Sequence, residues 1–475
     1  MSTDTRTAAA KADNSWRKHF RATIVLGLPL IGSQLTQIAI HVTDTVMIGR
    51  LGSTELAAGV LAMQFFFVVF IFGMGFALAV MPLVATAEGE GDTPGVRQSV
   101  RMGLWVVLGY SILTIPLLYF TKAILLQLGQ APETATLAQD YIRVAQWGMF
   151  PALTIMVLRS YLSSLELANI VLWSTVIALG INAVLDYAFI FGELGAPRLE
   201  IVGAAVASLV SNILAALFII GYTLWASRLQ KYHLYVRIWR VNPAALRQVF
   251  RLGWPIGATL LAEIGLFAAS SVMMGWVGII PLAAHGIALQ IISVIFMIPL
   301  GLASAATVRV GNALGRGDAL GLDRAAKVVF ILSWVVAALA AVILWLTPEF
   351  LIGLYLNVEN PDAAAILIAG VPLLAVAAAF QMFDITQVVS ANVLRGIQDT
   401  RVPMLIAVLS YWVIGVPTAY ALAFWADFGG VGVWSGLAVG LAVAAVLMTM
   451  RFVMRDRLGI VPDPKTLATE ETVLV

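Results

Sequence analysis

Long apolar runs separated by short polar breaks fill this chain from about residue 22 to about residue 454. Twelve runs stand out: 22–48, 56–86, 99–120, 135–164, 168–191, 202–226, 245–276, 281–312, 322–347, 363–394, 402–425 and 430–454. Each meets the requirement of about 20 apolar residues for crossing a bilayer as a helix. The runs are continuous, whereas strands of a membrane barrel alternate over about 10 residues. The pattern therefore predicts an all-α integral membrane protein of twelve transmembrane helices. Several runs are longer than a bilayer needs, which implies tilt or projection beyond the hydrocarbon.

The polar breaks carry the orientation. Of 28 Lys and Arg, only Arg50, Lys122, Arg143 and Arg198 fall on the side opposite the N-terminus. The excess of basic residues marks the cytoplasmic side. Both termini are expected there, in a multi-pass protein of the cytoplasmic (inner) membrane. The first 19 residues are polar and lack a short apolar core with a cleavage site, so no signal peptide is expected and the first helix is expected to serve as the membrane signal.

The longest polar connection, Ala226 to Pro243, falls near the middle, and the sequences on its two sides match. Without a gap, Pro29 pairs with Pro255, Gly49 with Gly275, Gln64 with Gln290 and Gly75 with Gly301. Gly89-Glu90-Gly91-Asp92 pairs with Gly315-Arg316-Gly317-Asp318, and further on Leu158-Arg159 pairs with Leu394-Arg395. The expected organisation is a tail (1–20), an N-lobe of helices 1–6 (21–227), a linker (228–244), a C-lobe of helices 7–12 (245–458) and a second tail (459–475). Both halves start on the same side, so the repeats are parallel, a design suited to alternating access.

Composition agrees and narrows the function. The chain is 61% hydrophobic and 11% charged, against about 25% charged in a soluble domain. A net charge of +2 with no basic cluster gives no reason to expect nucleic acid. Cysteine is absent, which removes disulfides, thiolate metal sites and cysteine nucleophiles.

Four acids sit deep within apolar runs: Asp44, Asp186, Glu263 and Asp384. Each costs roughly 2.5–3.5 kcal/mol to insert. No Lys or Arg is expected at their depth, so each must hold a proton or receive a cation. Helical spacing places Gln34, Gln37, His41 and Asp44 on one stripe of the first helix. Asn182 and Asp186 share a face of the fifth; Thr259, Glu263, Phe267 and Ser270 share one of the seventh. Phe380, Asp384, Gln387 and Ala391 do so on the tenth, with Gln381 beside them. Asp44, Asn182, Asp186, Glu263 and Asp384 are the candidate ion-coupling residues. Gln34, Gln37, His41, Phe267, Phe380 and Gln381 are the candidates for touching substrate. His41 and His285 read as hydrogen-bonding residues more than as ligands, and Arg159 and Arg395 as anchors at the cytoplasmic interface. Pro29 and Pro255 are symmetry mates placed to kink helices one and seven during gating. Gly432, Gly436 and Gly440 form a small-residue strip suited to close helix packing.

These residues resemble the multidrug and toxic compound extrusion (MATE) transporters, in particular the NorM-type branch, over roughly residues 20 to 455. The resemblance rests on Asp44-Thr45-Val46-Met47-Ile48-Gly49, on Gly253-Trp254-Pro255-Ile256-Gly257 leading to Glu263, and on Ala283-Ala284-His285. Gln381-Met382-Phe383-Asp384 and Leu394-Arg395-Gly396 complete it. It implies two six-helix lobes around a central cavity and export of organic cations in exchange for H⁺ or Na⁺. Glu263 and Asp384 match the second-lobe coupling acids; Asp44, Asn182 and Asp186 match the first-lobe cluster. Either group is then a candidate Na⁺ site, but Phe380 stands where Na⁺-coupled relatives carry tyrosine, which favours protons. The implied partners are the lipid bilayer and cationic amphipathic small molecules, with no cofactor beyond the coupling ion and no obligatory protein partner. A flippase or narrow-substrate carrier on the same fold is the alternative. A membrane enzyme is less favoured, because only two histidines lie at membrane depth and no nucleotide-phosphate loop is present.

Overall fold

A computed structural model describes residues 15–356 and 361–461 of the chain. The predicted tails lie largely outside these residues, as do Arg6, Lys11 and Lys465. Among the described residues there is no strand, and twelve helices are long and apolar enough to span a membrane. They are α1 (Trp16–Gly49), α2 (Thr54–Glu90), α3 (Thr93–Tyr119), α4 (Pro132–Ser164), α5 (Ala168–Phe191) and α6 (Glu200–Trp225). After the linker come α7 (Pro243–Val277), α8 (Ile279–Gly315), α9 (Ala319–Leu346), α10 (Ala363–Gly396), α11 (Arg401–Trp425) and α12 (Gly429–Val453). Every predicted span is present. The largest differences are the starts of α3, at Thr93, and of α1, at Trp16, each six residues ahead of its apolar run. In α1 that extension is fixed in place. Its polar opening turns are held by partners: Arg309 donates to His19 Nδ1 at 2.8 Å, and Arg324 lies over the Trp16 ring.

The duplication read from the sequence is repeated in local geometry. After α2, Gly91 takes a left-handed φ of 75°, and after α8 Gly317 takes 65°. Each glycine lets the chain fold back, so that Asp92 N donates to Ala87 O at 2.8 Å and Asp318 N to Ala313 O at 2.9 Å. The same two aspartates cap the next helix, accepting from Gly95 N at 3.0 Å and Gly321 N at 2.8 Å. A four-residue match thus encodes one turn, used twice.

By compactness the chain divides into two units. One is Gly32–Gly257; the other joins the segment ending at Ile31 to the segment beginning at Ala258. The boundaries fall inside α1 and α7, just past Pro29 and Pro255, and not in the 228–244 connection. The first half of α7 therefore packs with α2, and the first half of α1 packs with α8. Glycine makes both contacts feasible. A methyl on Gly75 would lie 2.2 Å from Gly257 N, and one on Gly253 2.7 Å from Phe76 Cα. In the other unit, a methyl on Gly301 would lie 2.7 Å from Ile31 N, and one on Gly27 2.9 Å from Leu302 Cδ2. These are the same contacts under the internal repeat.

The linker is docked onto the Gly32–Gly257 unit. Arg101 Nη2 donates to Val236 O at 2.6 Å and Trp105 Nε1 to Ile238 O at 2.8 Å. Tyr232 donates to Glu88 Oε2 at 2.7 Å, and burial together with that carboxylate pushes its phenol up from the ordinary range. In the other unit Arg455 donates to Asp323 Oδ1 at 2.7 Å and Arg451 to Asp399 Oδ2 at 2.6 Å.

Helix α11 widens into π-helical turns at Leu409–Gly415 and Ala421–Trp425. The expected small-residue strip of α12 lies against it: methyls on Gly432, Gly436 and Gly440 would approach Ala423 N, Ala419 Cα and Gly415 Cα to 2.6, 2.2 and 2.9 Å. Gly436→Ala should therefore destabilise the purified protein by about 1–3 kcal/mol through overpacking. Gly221→Ala, where a methyl meets nothing within 4 Å, should be neutral or slightly stabilising. Equal thermal midpoints for the two variants would contradict the packing described.

Candidate functional site

The Gly32–Gly257 unit gathers three sequence candidates at one place. Asp44 comes from α1 and is almost fully buried; Asn182 and Asp186 come from successive turns of α5 and are buried. Asp44 lies close enough to both Asp186 and Asn182 to interact with them electrostatically, short of a formed hydrogen bond. Tyr141 of α4, also buried, lies within electrostatic reach of both carboxylates. Asp44 Oδ1, Asn182 Oδ1 and both Asp186 oxygens are buried without a hydrogen-bond partner. Among the described residues neither acid pairs with a lysine or arginine. Two buried carboxylates this near each other cannot both stay ionised in such surroundings unless a positive charge joins them. Such a charge is a proton shared across the pair or a small cation held by these oxygens.

The remaining first-helix candidates differ among themselves. His41 is exposed and sits edge-on to Phe67 at 6.4 Å. Gln34 and Gln37 are half-buried, two to three turns from the acid pair. Arg159 of α4 donates to the Ser33 hydroxyl, and Ser33 in turn meets Thr175 at 3.1 Å. It ties α4 to α1 and α5 and acts as an anchor between helices.

The second unit builds its counterpart from α7 and α10. Glu263 is half-buried, Asp384 is buried, and the two lie within electrostatic reach of each other. Here an expectation is corrected: Arg395 of α10 reaches Glu263 electrostatically. It comes from the cytoplasmic end of the predicted tenth run, and residue counting along one helix does not register a charge carried by another. Arg395 also donates to Asn392 Oδ1 at 3.2 Å. Glu263 thus has a fixed positive charge nearby, without an ion pair in contact. Asp384 Oδ1, Gln387 Oε1 and both amide atoms of Gln381 are buried without partners.

Aromatic rings form one wall of this site. Phe267 meets Phe380 edge-on at 6.3 Å, and Phe380 meets Trp434 of α12 at 5.4 Å. Phe380 and Gln381 are fully buried, while Phe267 is half-buried. Trp434 Nε1 donates to His285 Nδ1 at 3.1 Å. That bond leaves the His285 proton on Nε2, which faces Ser271 Oγ at 3.1 Å and Ser270 Oγ at 3.4 Å. Both serines donate onward to Phe267 O. His285 is therefore a hydrogen-bonding link between α7, α8 and α12, in agreement with its sequence reading.

Tyr141, Trp434 and Tyr411 of α11 were not singled out from the sequence. They lie on strongly apolar helices where a single aromatic residue reads as core. The unusual Trp inside the glycine strip of α12 was the one available signal for Trp434. Pro29 and Pro255 are buried within unbroken helices, immediately before the unit boundaries.

The MatE family model matches residues 29–188 and 255–421, covering both units' acids from Asp44 to Asp384. The chain belongs to the MATE family. Within it the chain is 52% identical to a probable multidrug resistance protein NorM of Rhizobium meliloti (strain 1021), over 93% of this chain and 95% of that one. It is 47% identical to a probable multidrug resistance protein NorM of Agrobacterium fabrum, with 93% and 95% covered. The fold matches a crystal structure of MATE in complex with MaL6, with a TM-score of 0.84, 23% identity, and 92% and 96% of the chains covered. It also matches an outward-facing multidrug resistance MATE transporter of the MOP superfamily, with a TM-score of 0.84, 22% identity, and 94% and 97% covered.

In this MATE chain, Trp434→Phe keeps a ring against Phe380 but leaves His285 Nδ1 without its donor. Thermal unfolding should show a loss of about 1–3 kcal/mol. An unchanged midpoint would mean that the His285 link carries no weight.

Proposed function

We propose that this chain is a secondary antiporter that exports amphipathic organic cations across the cytoplasmic membrane in exchange for H⁺ or Na⁺. The proton is favoured, because a buried acid pair needs only one proton to become neutral. Both termini face the cytoplasm, and the protein acts as a carrier by alternating access, without catalysis. The observation that carries this reading is the pair Asp44–Asp186, buried within electrostatic reach of each other with no basic partner among the described residues. It must take up a positive charge. Proton, metal ion and organic cation exclude one another there, and that exclusion is the chemical basis of exchange. The names of the NorM relatives support multidrug substrates.

The driving force is sufficient. One elementary charge moving down 100 mV releases about 2.3 kcal/mol, equivalent to roughly a fifty-fold gradient. Pro29 and Pro255 sit where α1 and α7 pass from one unit to the other, so bending there accompanies the change in access.

The test is efflux of ethidium and a small panel of chemically distinct cations from proteoliposomes under separately imposed pH and Na⁺ gradients. Wild type should respond to one gradient, which names the coupling ion. Asp44→Asn or Glu263→Gln should lower the coupled rate at least ten-fold. If neither gradient moves any of the cations, multidrug antiport is wrong, and a flippase or narrow-substrate carrier becomes the better account.

A further inference from the structure

Helix α11 meets α7 one residue away from each functional position. Trp412 Nε1 donates to the carbonyl of Ala262 at 3.2 Å. A methyl on Gly265 would lie 2.7 Å from the Trp412 ring. The turn bearing Tyr411 is thereby clamped against the turn bearing Glu263. Tyr411 is fully buried, and its hydroxyl has no hydrogen-bond partner. The charged groups within electrostatic reach of it are Glu263 of α7 and Asp384 of α10, and Arg395 in turn reaches Glu263. Asp384 Oδ1 is likewise without a partner.

A buried phenol is ordinarily hydrogen-bonded, because leaving it unpaired costs stability. A phenol oxygen both donates and accepts, so it complements a carboxyl proton or a small cation equally well. The backbone carrying it is π-helical over Leu409–Gly415, a geometry that recurs at functional sites. The other aromatic residue in position, Phe380, offers no oxygen. Gly415, one turn on from Tyr411, packs closely against Gly440 of α12, which holds the turn in place.

We propose that Tyr411 is a direct ligand of the coupling ion in the second unit. Its phenol oxygen shares a Na⁺ or a carboxyl proton with Glu263 and Asp384. This rests on the antiport reading, but its test does not use transport. Full-length protein is purified in detergent with Asp44→Asn and Asp186→Asn in place, so that the first unit's acids are silent. The thermal midpoint is followed against Na⁺ at fixed pH with K⁺ as the ionic-strength control, and separately against pH without Na⁺. An ion bound only by the folded state raises the midpoint in proportion to its affinity.

Adding Tyr411→Phe should raise the half-saturating Na⁺ at least ten-fold, or move the half-effect pH by one unit or more. The arm that responds names the ion. In a Glu263→Gln background the same change should add nothing, since the ion is already lost; this cycle stays readable even if the ion-free midpoint drops. An unaltered ion response in both arms would make Tyr411 a packing residue and overturn the proposal, as would an equal shift with glutamine at 263. Absence of any ion-dependent stabilisation before Tyr411 is changed would overturn it too. If ethidium transport fails while the Tyr411 effect stands, the ligand assignment survives and only the antiport reading falls.

Discussion

A carboxylate surrounded by hydrocarbon is tolerated only with a compensating positive charge, and the two units of this transporter meet that demand differently. Asp44 and Asp186 face each other with no base among the described residues, so the compensating charge must be mobile. Glu263 has Arg395 in its field, so part of its compensation is fixed. An acid pair that must borrow its counter-charge responds strongly to what is available on either side of the membrane. An acid already biased by an arginine responds less and selects more. The rings of Phe267, Phe380 and Trp434 give the second pair an apolar flank, and a less polar flank strengthens charge interactions beside it.

The scaffold is more symmetric than the chemistry. The glycine contacts of α2 with α7 and of α8 with α1 are one contact made twice, and so are the capped turns at Asp92 and Asp318. The repeat nevertheless aligns Gln37 with Glu263 and Asp44 with Ser270. Duplication preserved the close backbone approaches, where any side chain would clash, while the polar positions diverged. Packing tolerances leave little freedom at a glycine such as Gly75; a residue facing an ion site is constrained by charge and reach alone.

This difference explains what was legible in the sequence. Helix existence was plain because apolar length alone decides it in a membrane, and the runs at 168–191 and 402–425 match α5 and α11 almost residue for residue. The acids were legible because a charge in an apolar run has few innocent explanations. Partners across helices were not. Tyr411 and Glu263 are far apart in the chain, and no spacing rule links them; a Tyr beside a Trp in an apolar run reads as core. Arg395 was read as an anchor because depth was counted along single helices, which says nothing about a neighbouring helix passing by.

The passage of α1 and α7 from one unit to the other bears on how the chain is assembled. The first half of α1 is synthesised earliest, yet its glycine-lined seat on α8 does not exist until more than half the protein has been made. The Gly32–Gly257 unit, conversely, is incomplete until the ribosome has passed the linker and delivered the first half of α7. Neither half can close its own core from its own residues. The linker is therefore more than a tether: by joining the halves in one polypeptide, it keeps each missing segment at high local concentration during insertion. The same exchange that carries α1 and α7 from one unit to the other also makes the halves dependent on each other for folding.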